Sequence, residues 1–379
     1  MRSIKYFLFL FLMACSNLLY AQLLPPSPPP SILPPSPPQT PAQVQPGMHN
    51  MVQSPDSILK QYGDSVHIMM MAKNYEGAYR YANLRIRRTP FRMQFMYYDR
   101  ATAETYLGMN DNAIRDYDTV IGLDSSAAAA YMNQAYLYMQ VGKTDKAMLD
   151  YKKGLKISKD SALIADMHLS RANAYMSHKQ TKEAEADFTE AIAYNPHSWQ
   201  AWLQRGAIRR FAKKYKEALS DLNIAYKLKP TDPDILQLRG MVLYESGMYK
   251  ESLPDLMEAD NFHKNNVDTW FYLGMAEMKT GHDSLAREYF TKVLEKNPKN
   301  VFVLTTRAKV NFDMKHPLLA IKDYTKIIQL QPKNAEAYAN RAYVYTQIGE
   351  RDKSCADWHK AASLGMTKAN EIIKKYCGK

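Results

Sequence analysis

Six arginine–aspartate couples recur along this 379-residue chain: Arg100/Asp116, Arg171/Asp187, Arg205/Asp221, Arg239/Asp255, Arg307/Asp323 and Arg341/Asp357. A guanidinium and a carboxylate that meet inside a protein form an ion pair. Where the arginine is lost to Leu273, the aspartate is lost to Tyr289, and near the start Ser65 and Tyr81 replace both. Loss in tandem predicts that the two side chains touch. Breaking one member of a buried pair is costly, whereas replacing both by other groups can be neutral. These residues are therefore read as scaffold rather than site.

The other reactive residue types are sparse. Nine histidines are scattered, with no His-Glu-x-x-His, no close Cys–Cys metal spacing and no glycine-rich phosphate loop ahead of a helix. His168, His178 and His197 lie near one another in sequence but read as satisfied or exposed histidines. No catalytic, cofactor-binding or metal-binding residue is assigned, and an enzyme is not expected. Of three cysteines, Cys355 lies about ten residues before Gly365 and Cys377 about twelve after it. Two antiparallel helices of those lengths would bring the thiols to one level. The expectation is a Cys355–Cys377 disulfide, two buried thiols being the alternative.

The elements that position these residues show in a period of 34. The stretch Trp199 to Asp232 holds a helix-spaced run (Trp202, Gly206, Ile208), a turn at Lys213–Lys214 and a second run (Ala218, Leu222, Ala225), stopped by Pro230. Its small residue recurs as Ala184, Ala218, Ser252, Ala286, Ala320 and Ser354, and the proline as Pro196, Pro230, Pro298 and Pro332, with Lys264 breaking the series. The first helices carry sets such as Tyr131–Ala135–Tyr138 and Tyr338–Ala342–Tyr345. The second helices carry Ala184–Phe188–Ala191 and Ala320–Tyr324–Ile327. Small residues let two helices approach closely, and large ones fill the gap in the neighbouring unit. On these residues the chain resembles the tetratricopeptide-repeat family of exported bacterial type. The resemblance implies an all-α fold: a right-handed α-solenoid of about nine helix–turn–helix repeats over residues 59–368, closed by a capping helix and tail over 366–379.

In that family the first helix of each repeat lines the concave face. The resemblance therefore places a partner groove at Tyr98, Tyr136, Met139, Asn173, Met176, Leu203, Phe211, Met241, Tyr244, Phe271, Met275, Met278, Phe312 and Tyr343. Methionine is adaptable and tyrosine joins an apolar body to a polar tip, both useful at binding surfaces. Several of these are also expected to pack between helices. The Lys/Asn set with which some relatives grip a chaperone's C-terminal carboxylate is not matched, since those slots hold Tyr98, Met132, Leu169 and Leu203.

Residues 1–21 read as a signal peptide: Arg2 and Lys5, an apolar run from Tyr6 to Met13, and Leu19-Tyr20-Ala21 before Gln22. The expected cut follows Ala21. The alternative is lipid attachment at Cys15, because Leu12-Met13-Ala14-Cys15 resembles a lipoprotein box. Either route predicts export to the periplasm or outer membrane of a Gram-negative bacterium, with no transmembrane helix in the mature chain. Residues 22–58 read as a proline-rich disordered linker or stalk, with Gln22 to Pro46 in polyproline II, since proline fixes its own backbone angle and biases its predecessor to extended geometry; a ligand for a proline-binding groove and a plain disordered exported N-terminus are the alternatives. Arg80, Arg85, Arg87, Arg88 and Arg92 form either an anion-binding patch or a solvated face. Three extra residues near Ala162–Ile164 are expected in a surface turn. Pro254 is expected to kink or shorten the first turn of its helix.

The charge of +12 suits acidic partners or an anionic envelope polymer. Export makes nucleic acid an unexpected partner. The functional expectation is a scaffold that binds a protein or peptide in its groove, assembling or tethering an envelope complex. A glycan- or peptidoglycan-binding module using the groove aromatics is the alternative.

Overall fold

The structure is a computed structural model and describes residue 66 and residues 68–88 and 93–378. The signal peptide with Cys15, the proline-rich segment over 22–58, the start of the array near Leu59, Ser65, Arg92 and the Arg88 side chain lie outside the described residues.

The regular elements among those residues are α-helices. Helix α1 (Tyr75–Arg88) precedes a succession of helices that mostly pack in pairs. These are α2 (Met93–Tyr106) with α3 (Asn110–Leu123), α4 (Ala128–Gln140) with α5 (Thr144–Ile157), and α6 (Ser161–Ser177) with α7 (Thr181–Tyr194). Then come α8 (Trp199–Phe211) and α9 (Tyr215–Leu228), followed by α10 (Pro233–Glu245) with α11 (Tyr249–Phe262), and α12 (Val267–Thr280) with α13 (Asp283–Lys296). The last are α14 (Val301–Asp313) with α15 (Pro317–Leu330) and α16 (Ala335–Gln347) with α17 (Arg351–Ser363), followed by the single α18 (Thr367–Tyr376). The chain divides into two units, one ending at Ile208 and one beginning at Arg209, the division falling inside α8. In each unit a helix packs on its own partner, and the second helix of one pair packs on the first helix of the next. This is an all-α helical repeat solenoid.

The period of 34 has a direct packing cause. Its small residues, Ala113, Ala147, Ala184, Ala218, Ser252, Ala286 and Ala320, are completely buried where paired helices come closest. The first helix contributes a matching small residue. A Cβ on Gly240 would lie 2.7 Å from the Leu256 side chain, and one on Gly274 would lie 2.8 Å from the Phe290 ring. Asp160, Asp232, Asn266, Asn300 and Asn334 cap first helices by accepting backbone N–H groups. The turn within each pair needs one left-handed residue, and this chain places lysine there at Lys73, Lys179, Lys213 and Lys315, with φ between 57 and 65°.

Two local expectations are corrected. The extra residues near Ala162–Ile164 do not form a surface turn. They extend α6 to 17 residues, Asp160 caps the added turn, and Leu163 and Ile164 pack half-buried against the first unit's core. Adding helical hydrogen bonds and apolar contact outweighs leaving two aliphatic side chains in water. Of the two outcomes expected at Pro254, shortening does not occur: α11 runs 14 residues, as do the second helices α3 to α15. One N–H is lost there, while Ser252, Leu256 and Ala259 stay buried against their neighbours. At the far end Ala369 of α18 is fully buried in a cluster with Ala342, Trp358 and Ala361, and Cys355 and Cys377 are joined as a disulfide, Sγ–Sγ 2.03 Å.

Candidate ligand-binding face

The periodic arginines are consumed by the scaffold. In five repeats the guanidinium grips its aspartate through two parallel bonds. Nε donates to Oδ2 at 2.6–3.0 Å and Nη2 to Oδ1 at 2.7–2.9 Å, for Arg100/Asp116, Arg171/Asp187, Arg239/Asp255, Arg307/Asp323 and Arg341/Asp357. Such two-point pairs are geometrically specific as well as strong. The sixth couple, Arg205 and Asp221, has one member in each unit. Within its own unit Asp221 accepts from Arg209 Nη1 at 2.8 Å.

The same arginines also reach backwards, a contact the sequence reading missed. Nη1 donates to Asn83 from Arg100, to Thr189 from Arg205, to Asn223 from Arg239, to Thr291 from Arg307 and to Thr325 from Arg341, at 2.7–3.4 Å. Each arginine thus ties its own repeat to the one before. Where Leu273 replaces arginine, the corresponding residues are Met257 and Tyr289, so all three members are exchanged together. Leu273 is fully buried in an apolar cluster with Leu256 and Met241, and Tyr289 packs on it.

One repeat breaks the rule. Asp150 is buried, but the residue facing it is Gln134, which donates instead to the Ile114 carbonyl and to Asp118 Oδ1. Asp150 Oδ2 is left with no hydrogen-bond partner. Burial pushes its carboxyl from 3.8 up to about 6, and Asp118 adds to the rise against the pull of Lys153 and Lys146. By contrast, although burial raises it, Asp187 is held below its ordinary range by Arg171 and by His168, whose Nδ1 lies 2.9 Å from Oδ1. His178 is likewise engaged, with Nε2 3.0 Å from Thr144 Oγ1, and His197 is exposed.

In the arginine-rich start, Arg80 pairs with Glu76 in solvent at 2.9 Å, whereas Arg85 is half-buried 3.4 Å from Asp99. Burial raises the Asp99 carboxyl to about 7 against the pull of Arg85. Arg87 is exposed. Arg85 therefore does not belong to a solvated face.

The fourteen proposed groove residues separate by burial. In the first unit Tyr98 and Leu203 are buried, and Tyr98 is locked by Asn133, whose Nδ2 donates to its Oη at 3.0 Å. Tyr136, Met139, Asn173 and Met176 are half-buried. In the second unit Met241 and Met275 are buried, Phe211 is 36% exposed, and Tyr244, Phe271, Met278, Phe312 and Tyr343 are half-buried. The four buried side chains pack between helices and offer little surface.

Successive first helices of the second unit meet through aromatic rings. Tyr244 of α10 lies edge-on to Tyr272 of α12 at 5.5 Å, Phe271 of α12 lies 5.8 Å from Phe302 of α14, and Phe312 of α14 lies 5.5 Å from Tyr343 of α16. Tyr272 is fixed from both sides. It accepts from Arg210 Nη2 at 2.8 Å and donates to Glu245 Oε1 at 2.5 Å, while Arg210 forks onto Glu245 at 2.6 and 2.9 Å. This cluster does not follow the period of 34, so no repeat signal could have revealed it. Among the described residues no group of three or more His, Cys, Asp or Glu could hold a metal ion, and no helix is long and apolar enough to cross a membrane.

Three family models, each described as tetratricopeptide repeat, match residues 128–161, 169–233 and 267–300. They support a tetratricopeptide-repeat protein and, more coarsely than the expectation above, a protein-interaction scaffold. No curated protein matches the chain. Among solved structures the chain is similar to YrrB, titled a TPR protein with an unusual peptide-binding site, at 22% identity over 49% of this chain and 95% of that one, TM-score 0.45. It is also similar to a tetratricopeptide repeat protein from Parabacteroides merdae, at 18% identity over 66% of this chain and 96% of that one, TM-score 0.45. A third is pilF of Pseudomonas aeruginosa, at 20% identity over 56% and 97%, TM-score 0.45.

Proposed function

We propose that this chain is an exported scaffold that holds a protein or peptide partner on the face made by its first helices, and so assembles or tethers an envelope complex without turnover. The observation that carries this reading is the division of labour among side chains. The periodic charges are committed to ion pairs inside the repeats, while half-buried Tyr, Phe and Met are what the first helices offer a partner. Such side chains supply contact area at low conformational cost and adapt to a bound chain. Residues 1–21 and the Cys355–Cys377 disulfide support an exported, oxidising location, since disulfides persist there and are rare in the cytosol. The anchor, if any, is a lipid on Cys15, and the net charge of +12 suits an anionic envelope polymer as an additional neighbour.

The test is selection of peptides from a display library on the full chain, run beside a glycan array. Saturable peptide binding, weakened at least tenfold by Tyr136→Ala or Phe271→Ala, is expected. Saturable glycan binding without any peptide capture would overturn the scaffold in favour of a glycan-binding module using the same aromatics. Mass spectrometry of the mature N-terminus is expected to find Gln22; a lipid-modified Cys15 would replace plain cleavage by anchoring.

A further inference from the structure

We propose that the aromatic row of the second unit is a docking site for this chain's own proline-rich segment, residues 22–46. The inference rests on the scaffold reading and names the class of peptide that the face takes. Five rings run in sequence: Tyr249, Tyr244, Tyr272, Phe271 and Phe302, with successive centroid separations of 5.2, 5.5, 5.5 and 5.8 Å. All five are half-buried, so each keeps part of its surface open. Proline-rich segments dock on aromatic-lined grooves because their extended helix is already ordered and has little entropy left to lose.

Three features of the row favour this occupant. It is built in advance, since Tyr272 accepts one hydrogen bond from Arg210 and donates one to Glu245, and those two residues are themselves forked together by two more. Its central charges are closed on themselves in the Arg210–Glu245 ion pair, which leaves Lys279, 5.8 Å over the Tyr249 ring, as a cation at one end of the row. The segment from Gln22 to Pro46 matches that closed centre by carrying no charged residue. The lengths agree as well. A path of roughly 20 Å across the rings corresponds to about seven residues of polyproline helix at ~3.1 Å each. The segment offers two blocks near that size, Pro25-Pro26-Ser27-Pro28-Pro29-Pro30 and Pro34-Pro35-Ser36-Pro37-Pro38. The neighbouring first-helix positions fit less well, as Gln237, Thr305 and Ala339 stand where Phe271 stands in its repeat.

The full chain carrying a benzophenone side chain in place of Pro29 tests the contact directly. Photo-crosslinks to peptides from Tyr244–Tyr249, Val267–Thr280 or Val301–Asp313 are expected; crosslinks confined elsewhere, or none, overturn the proposal. A fluorescent synthetic peptide of residues 22–46 titrated onto the full chain gives a second reading. Binding should weaken at least tenfold in Phe271→Leu, which keeps an apolar side chain for folding, and should vanish when the prolines of both blocks are replaced by alanine. Equal binding of the alanine peptide sinks the inference. If library peptides are captured on the first helices but residues 22–46 neither bind nor crosslink there, the inference falls and the scaffold stands; capture of no peptide removes both.

Discussion

Asp150→Asn should make the first unit more stable at neutral pH, although the substitution removes a charge from a family of otherwise paired aspartates. In five repeats the equivalent carboxylate is gripped by arginine; here Gln134 turns to Ile114 and Asp118, leaving Asp150 Oδ2 buried and unpartnered. Burial raises the carboxyl from 3.8 to about 6. At ~1.4 kcal/mol per tenfold change in acidity, that rise amounts to a ceiling of ~3 kcal/mol of destabilisation once the group ionises. The sign follows from which state prefers the proton. The folded carboxyl holds its proton to a higher pH than the unfolded one, so the contribution of Asp150 to stability is greatest below about pH 4. It falls as pH rises through 4 to 6 and levels off above. Asparagine does not titrate and escapes this loss, but its amide must still be buried, so a gain of about 1–2 kcal/mol is expected at pH 7.5. Hydrogen exchange of α4 and α5 in the full chain reads the repeat locally, and urea unfolding followed by circular dichroism reads the total. Protection should rise at pH 7.5, with the advantage shrinking toward pH 4. A gain independent of pH, or a loss at pH 7.5, would refute the reasoning that an unpaired buried charge sits there.

The paired repeats should respond in the opposite way. Arg307→Ala leaves Asp323 buried with only the long bond from the Asn311 amide and should cost about 3–5 kcal/mol, while Arg307→Leu with Asp323→Tyr, copying the natural Leu273/Tyr289 repeat, should cost clearly less; urea unfolding of both variants decides. Cys355→Ser opens the disulfide that ties α18 to α17 and should destabilise the C-terminal cap by about 3 kcal/mol. Exchange protection of Thr367–Tyr376 would then match that of the reduced wild-type chain, and a reductant-insensitive cap would contradict the claim.

Much of this molecule was legible because a repeat writes the same physics many times. An Ala, Gly or Ser at the recurring small position, the recurring stop proline and six Arg–Asp couples are visible in the sequence, since each depends on residues of a single pair of helices. The joint loss at Leu273 and Tyr289 announced their contact for the same reason. What the period could not carry was left to tertiary structure. Asp150 already lacks an arginine, since Gln134 fills that slot, but only the direction taken by the Gln134 amide shows that the carboxylate stands alone. The extra residues near Ala162–Ile164 read as a turn, and only the neighbouring core, with apolar surface to share, made them helix. Tyr98, Leu203, Met241 and Met275 occupy the same helix as the open groove positions, yet the distance to the next helix decides whether a side chain is wedge or surface. The Arg210–Glu245–Tyr272 cluster joins three helices at unequal spacings, so its existence depends on how those helices lie against each other and is written in no single repeat. Local spacing fixes which faces two helices share; the stacking of many fixes what is left exposed.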